Sequence, residues 1–355
     1  MGEGVVLLDG RWLGHTGVGT VTEYFLAGAS ELAPEGRWLL WGPPEVERFA
    51  WPGCSVVVTT RSPLAWLGQR AFLELPRADR YFFAHAVRPL VRRPSAVLVH
   101  DTIPVRWAPN ALERRLWRSY LRRSVRSATT VLVDSEATKA RVRSDLGVAS
   151  ARTLHLPADR ARSERLRAAR RARPPDPDLM VYVGRARPHK NLLRAIEAFE
   201  ASSFKAGGGR FVVVGADARG RSLLEPARQR SSGRVEVVGQ CSDEEVERYV
   251  AAASFTIQPS LEEGFGLTVS EALDAGIPVC CSDIDPLVGV AGGQAVLFDP
   301  LSVPAITRAI DDTAVAARNG RVPALVPRPT VTEFAAEILQ ALGHSGGGGA
   351  GDARG

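Results

Sequence analysis

The stretch Pro259-Ser260-Leu261-Glu262-Glu263-Gly264-Phe265-Gly266-Leu267-Thr268-Val269-Ser270-Glu271-Ala272-Leu273-Asp274-Ala275-Gly276-Ile277-Pro278 decides the fold. It reads as the end of a strand, a glycine loop, a helix from about Val269, a stop at Gly276 and a new strand opening at Pro278. Strand, loop, helix and strand in that order form one winding of a parallel α/β sheet. Gly264 and Gly266 carry no Cβ, so the backbone can approach a ligand and aim amide N–H groups at it. Those amides precede a helix N-terminus, which favours an anionic phosphate. Glu263 and Glu271 add two carboxylates on the same side. Carboxylates repel phosphate, so they suit sugar hydroxyls. A purely structural reading competes: a turn, with Thr268-x-x-Glu271 as a capping box.

Upstream, Val181-Tyr182-Val183-Gly184-Arg185-Ala186-Arg187-Pro188-His189-Lys190-Asn191 runs into a helical stretch over 192–199. Strand, glycine, Arg185, Lys190 and an Asn191 cap put two cations and free amides at one strand edge. Arg grips phosphate oxygens in pairs and Lys supplies a point charge, the outline of a diphosphate clamp. A solvated basic loop is the alternative.

Outward from these windows, short β-branched runs alternate with longer amphipathic stretches in two series. The first holds candidate strands at 5–9, 38–41, 55–60, 96–100 and 130–134; the second at 179–183, 211–214, 235–238, 255–258, 278–281 and 295–298. At 355 residues the chain exceeds what one core usually organises, so two α/β domains are expected. Between the series lies an arginine-rich stretch ending in Pro174-Pro175-Asp176-Pro177, which reads as a linker over 161–178.

Composition excludes several classes. No window approaches 18 consecutive apolar residues and no leader pattern opens the chain, so the reading is a cytoplasmic protein. Its four cysteines form no C-x-x-C pair, and its six histidines show no metal-ligand spacing. Asp283-Ile284-Asp285 follows a strand and precedes Pro286, and reads as turn carboxylates rather than a metal pair. The loop Gly14–Gly19 lacks the G-x-G-x-x-G spacing of a dinucleotide site. Residues 1–178 carry 28 Lys and Arg against 18 Asp and Glu, whereas the remainder is net negative, an asymmetry that a nucleic-acid binder does not need.

Taken together, Gly184-Arg185-x4-Lys190-Asn191 and Glu263-x7-Glu271 resemble the donor site of the retaining nucleotide-sugar glycosyltransferases of family 4, which have the GT-B fold. Asp9-Gly10-Arg11 and Gly14-His15-Thr16-Gly17-Val18-Gly19 are similar to that family's opening strand and glycine loop. His100-Asp101-Thr102-Ile103-Pro104 and Val133-Asp134-Ser135-Glu136 are similar to its cleft-lining strand ends. Three positions depart from the pattern: Thr20, where a basic residue is common; Pro157-Ala158-Asp159, in place of a proline-x-glycine turn; and Asp285-Pro286-Leu287, in place of Pro-Glu.

The resemblance implies two Rossmann-like α/β domains facing a central cleft: an acceptor domain over 1–160, a donor domain over 179–330, and a helix over 331–343 packing back on the first domain; the tail over 344–355, with its run of glycines from Gly346, is expected from composition to be flexible. It implies a hexosyltransferase that uses a nucleotide-sugar donor and a hydroxyl acceptor: a glycan, a lipid-linked sugar or a natural product. Configuration is retained by front-face attack, with no metal and no cofactor. Arg185 and Lys190 would bind the diphosphate, Glu271 the ribose, and Glu263 the donor sugar with the amides of Gly264, Phe265, Gly266 and Leu267. Gly17 and Gly19 would approach the phosphates, and His100 would stand beside the reacting centre. A catalytically silent partner subunit and a basic peripheral membrane-binding protein are the rival readings.

Arg115, Arg118, Arg122 and Arg126 recur at helical spacing in the stretch 111–126 and form one charged stripe. Its ordinary reading is a solvated face over a packed one. Its sharper reading makes an anionic membrane surface a partner, with the enzyme peripheral at the inner membrane face.

Overall fold

Two runs of buried β-branched and aromatic residues seed two parallel sheets in the computed structural model, which describes residues 4–14, 16–32, 36–60, 75–91, 93–231 and 233–343. The first unit comprises the residues up to Pro157 and those from Arg328 onward; the second is Ala158–Pro327.

The first sheet holds β1 (Val6–Asp9), β2 (Trp38–Gly42), β3 (Cys54–Val58), β4 (Arg80–Phe83), β5 (Ser95–Val99), β6 (Thr130–Val133) and β7 (Arg152–Thr153), in the order β3-β2-β1-β4-β5-β6-β7. All its pairings are parallel. Strands buried on both faces read as continuous apolar runs, and β1 and β5 are buried at every position. Around it lie α1 (Thr16–Leu32), α2 (Ile103–Trp107), α3 (Ala111–Arg126) and α4 (Glu136–Leu146). Strand β4 escaped the sequence reading: it begins at a charged arginine, yet Tyr81, Phe82 and Phe83 are all buried.

The second sheet holds β8 (Asp176–Val183), β9 (Arg210–Val214), β10 (Val235–Val237), β11 (Ala253–Gln258), β12 (Val279–Ser282) and β13 (Val296–Phe298), in the order β10-β9-β8-β11-β12-β13, again all parallel. Its helices are α5 (Arg160–Ala172), α6 (Leu192–Glu200), α7 (Ser203–Ala206), α8 (Ala218–Arg230), α9 (Asp243–Ala252), α10 (Leu267–Asp274), α11 (Asp285–Ala291) and α12 (Val303–Arg318). Both sheets have the doubly wound order, whose ligand crevice lies where the winding reverses. In the second sheet that point is between the C-terminal ends of β8 and β11; in the first, between β1 and β4.

The stretch 161–178, read as a linker, is instead part of the second unit. Leu166 is buried in its core, and β8 begins at Asp176 among the prolines. The arginines dock α5 rather than solvate it. Arg170 Nη1 donates to the carbonyls of Ala251 (3.0 Å) and Ala253 (2.6 Å) at the end of α9, and Arg167 donates to the carbonyl of Asp274 at the end of α10. Cations at helix C-termini satisfy carbonyls that lack intrahelical partners. A composition that looks like a connector is here a set of caps.

Helix α13 (Val331–Ala341) returns to the first unit and packs on α1. Gly28 of α1 has no room for a Cβ, which would collide with the Val331 carbonyl. Thr332 Oγ1 donates to Glu31 (2.6 Å), and Arg152 pairs with Glu337 (3.1 Å). The tail 344–355 lies outside the described residues, as does His15.

Candidate functional site

At the end of β8 the backbone turns through Gly184 at φ 142°, where a Cβ would lie 2.9 Å from the Tyr182 hydroxyl. The two arginines that follow separate by environment. Arg187 is tied to Asp217 by two bonds, 2.6 and 3.0 Å long, and Asp217 also caps α8 through the Gly220 amide. Arg185 is exposed, and among the described residues its guanidinium makes no hydrogen bond or ion pair; its carbonyl accepts from the Tyr182 hydroxyl (3.4 Å). The Arg187 guanidinium is thus engaged within the second unit, whereas that of Arg185 is exposed.

Lys190 ends the short turn Pro188–Lys190. The amide of Leu261 donates to the His189 carbonyl (2.8 Å) and joins this loop to the one after β11. Across that joint the Lys190 ammonium lies 2.6 Å from Glu263 Oε1. The same oxygen accepts from Gln258 Nε2 (2.6 Å) and Ser260 Oγ (2.7 Å). Burial works to raise the Glu263 carboxyl, but the Lys190 charge and these donors outweigh it and hold the group below the usual carboxylate range. Burial, with Lys190 beside it, pushes the His189 imidazole down to about 4. Gln258 and Ser260 were missed by the sequence reading, because a strand-end Gln and a loop Ser carry no signal until Glu263 folds between them.

The glycine loop enters α10 through Gly266 at φ 104°, where a Cβ would meet Leu287 Cδ2 at 2.5 Å. The helix starts at Leu267, not Val269, and no side chain caps it. The competing reading of Thr268-x-x-Glu271 as a capping box is not met: Thr268 Oγ1 donates instead to Gln258 Oε1 (3.2 Å). Asn191 likewise does not cap α6. It sits at φ 58°, donates to the Pro300 carbonyl and accepts from Arg194. Phe265 packs against the apolar cluster around Val269 and Leu287.

Glu271, one turn into α10, lines a small pocket with Arg162, Val183, Gln258 and Thr268. Its side chain is 14% exposed, and Arg162 Nη1 approaches its Oε1 to 3.4 Å. Burial pushes the carboxyl up to about 7, against the pull of Arg162. Arg162 was hidden in the stretch read as a linker.

In the first unit, the end of β1 carries a buried Asp9–Arg11 pair (2.7 Å), with Arg11 stacked over Trp41. His100, at the end of β5, has acceptors at both ring nitrogens: Asp134 Oδ2 at Nδ1 (3.0 Å) and the Ala84 carbonyl at Nε2 (2.8 Å). Burial opposes the charge, yet these two acceptors raise the imidazole above its ordinary value and favour the doubly protonated ring. Neighbouring His85 is pushed down to about 3 by burial and by His100. Both ring nitrogens of His100 are thus engaged within the first unit. Gly17 and Gly19 lie inside α1 rather than in a loop, and a Cβ at Gly19 would sit 2.8 Å from the Trp12 carbonyl. Gly19 thus serves local packing.

Among the described residues no group of three or more His, Cys, Asp or Glu could hold a metal ion, and no helix is long and apolar enough to cross a membrane. Asp285 lies in the first turn of α11.

Residues 164–314 match the family described as "Glycosyl transferases group 1". The O-antigen chain mannosyltransferase B of Escherichia coli is 31% identical over 133 residues, 36% of this chain and 34% of that protein. The chain thus spans about a third of the length of that curated relative. Among solved structures, sucrose-phosphate synthase from Thermosynechococcus elongatus superposes with a TM-score of 0.68 at 18% identity, covering 95% of this chain and 94% of that one. The Anabaena protein HepE, in complex with UDP and glucose, gives 0.65 at 17% identity, covering 95% and 99%. These likenesses establish a shared fold. The chain has the GT-B fold, and residues 164–314, which carry Arg185, Lys190, Glu263 and Glu271, match the family described as glycosyl transferases group 1.

Proposed function

We propose that the chain is a retaining glycosyltransferase that moves a hexosyl group from a nucleotide-diphosphate sugar to a hydroxyl acceptor. The observation that carries this reading is the pairing of Lys190 with Glu263 at the β8–β11 winding reversal, beside exposed Arg185 and the uncapped start of α10. Exposed Arg185, the Lys190 ammonium and the Leu267 and Thr268 amides supply positive charge for a diphosphate. Glu271 accepts from ribose hydroxyls, and Glu263 from the sugar. In the step itself the acceptor oxygen bonds to the anomeric carbon as the bond from that carbon to the diphosphate oxygen breaks. The acceptor proton passes to the departing phosphate on the same face, so configuration is kept. Such a reaction asks for positioning and charge stabilisation rather than a protein nucleophile. Arg185 and Lys190 meet the leaving-group charge, so no metal is required.

The mannosyltransferase name of the relative, and the UDP and glucose bound by HepE, make a nucleotide-linked mannose and UDP-glucose the first donors to try. Each is incubated with the full chain and lipid-linked or free sugar acceptors, with and without EDTA, and the anomeric coupling of the product is read by proton NMR. Transfer with retention and no loss in EDTA is expected. An inverted product, or activity abolished by EDTA and restored by Mn²⁺, overturns the mechanism; no transfer and no donor hydrolysis favours a silent partner subunit.

We also propose that α3 meets an anionic membrane surface. Leu112 is 67% and Leu116 58% exposed, and both lie among exposed Arg115, Arg118, Arg122 and Arg126, while Leu121 and Val125 on the other face are buried. Apolar anchors within a basic face fit an anionic lipid surface better than a solvated helix.

A further inference from the structure

We propose that Arg162 is a positioning residue for donor binding: from α5 its guanidinium orients the Glu271 carboxyl and favours its charged form toward the nucleotide ribose. The inference rests on the reading of Glu271 as the ribose-binding group.

Three observations converge on it. Arg162 is a half-buried guanidinium, 17% exposed, whose Nη1 faces Glu271 Oε1 and whose Nε lies 3.7 Å from Glu247 on α9. It is held from behind by an acid and presents its charge forward to another. Its Nε is buried without a hydrogen bond, so the group is placed by charge and by the docking of α5 rather than by a saturated bond network. Docking is firm, because Arg165 grips Glu247 through two bonds (2.7 and 3.1 Å), and Arg167 and Arg170 cap the ends of α10 and α9. A shift of α5 therefore moves Arg162 relative to Glu271.

The charged groups acting on Glu271 are few. Arg162 favours the carboxylate, whereas Asp159, Glu247 and Asp243 disfavour it, as does burial. Val183, Gln258, Thr268 and Val269 line the pocket around it without charge. Arg162 is thus the one cation among these groups. A neutral Glu271 would lose acceptor strength toward the ribose hydroxyls.

The test uses the full chain as wild type, R162Q, R162K and E271Q. Two quantities are followed across pH: the Glu271 carboxyl titration by carbon-13 NMR, identified by its absence in E271Q, and the affinities for UDP and GDP. Removing an opposite charge at this range shifts a carboxyl by about 1 pH unit or more, so R162Q should move the titration and the affinity profile upward by at least that much. R162K should restore most of the shift. A wild-type titration in R162Q, with UDP or GDP affinity still falling in E271Q, overturns the role of Arg162 alone. Unchanged affinity for both nucleotides in E271Q overturns the reading of Glu271, and the inference with it. If R162Q fails to fold, R162K decides, since a titration as far displaced from wild type as burial alone would set excludes charge positioning by residue 162.

Discussion

The Lys190 ammonium and the Glu263 carboxylate are 2.6 Å apart across the joint between the loops after β8 and β11, and each holds the other in place. The cation proposed to meet phosphate is thus preorganised by an acid that Gln258 and Ser260 also orient. Placing the charge before the substrate arrives removes reorganisation from the reaction itself.

Lys190→Ala removes this charge and leaves the buried Glu263 carboxylate without its countercharge. Transfer should slow by roughly 10² or more, the cost typical of losing a preorganised transition-state stabiliser. Single-turnover rates check it; near wild-type turnover would remove Lys190 from the clamp.

Gly266→Ala forces a side chain into the left-handed region at φ 104° and against Leu287. A cost of about 1–3 kcal/mol is expected for such a conformation. Thermal unfolding should show it, together with weaker UDP or GDP binding, because the strained residue opens α10. An unchanged melting temperature would contradict the geometry.

His100 provides a pH test in the first unit. A histidine whose value is raised on folding contributes stability that is whole below its unfolded value, near 6.5, and is lost as pH rises through the higher folded value. His85 and His189, pushed down to about 3 and about 4, stay neutral across this window. Urea unfolding should therefore lose stability on the alkaline side in wild type, and this component should vanish in His100→Gln. An identical pH slope in both chains would show that the Asp134 contact does not hold the proton.

Flotation with vesicles tests α3. The chain should float with anionic vesicles, release as salt rises, and remain unbound to neutral ones. Reversal of Arg115, Arg118, Arg122 and Arg126 to Glu should abolish flotation without lowering the melting temperature. Equal partition onto neutral and anionic vesicles would reject a charged lipid surface.

The parallel sheets were legible because their signals are local. Apolar runs of strand length, glycines where the backbone turns sharply, and the return to a strand after Gly276 all lie within one βαβ winding. Strand β4 was not, since its leading arginine masks a segment whose burial depends on neighbours far along the chain.

At the site, the sequence alone determined the residue types: cations after β8, acids around a glycine loop after β11, and spacing that puts them at strand ends. It singled out Arg185 without showing why Arg187 is excluded, because that depends on Asp217, 30 residues beyond Arg187. Nor could it see that Arg162 reaches Glu271 across 109 residues, or that Asp134 and Ala84 enclose His100. Charge pairing acts through space and depends on which helix docks where, so only the tertiary structure decided which charges are neutralised within the protein and which remain for a ligand.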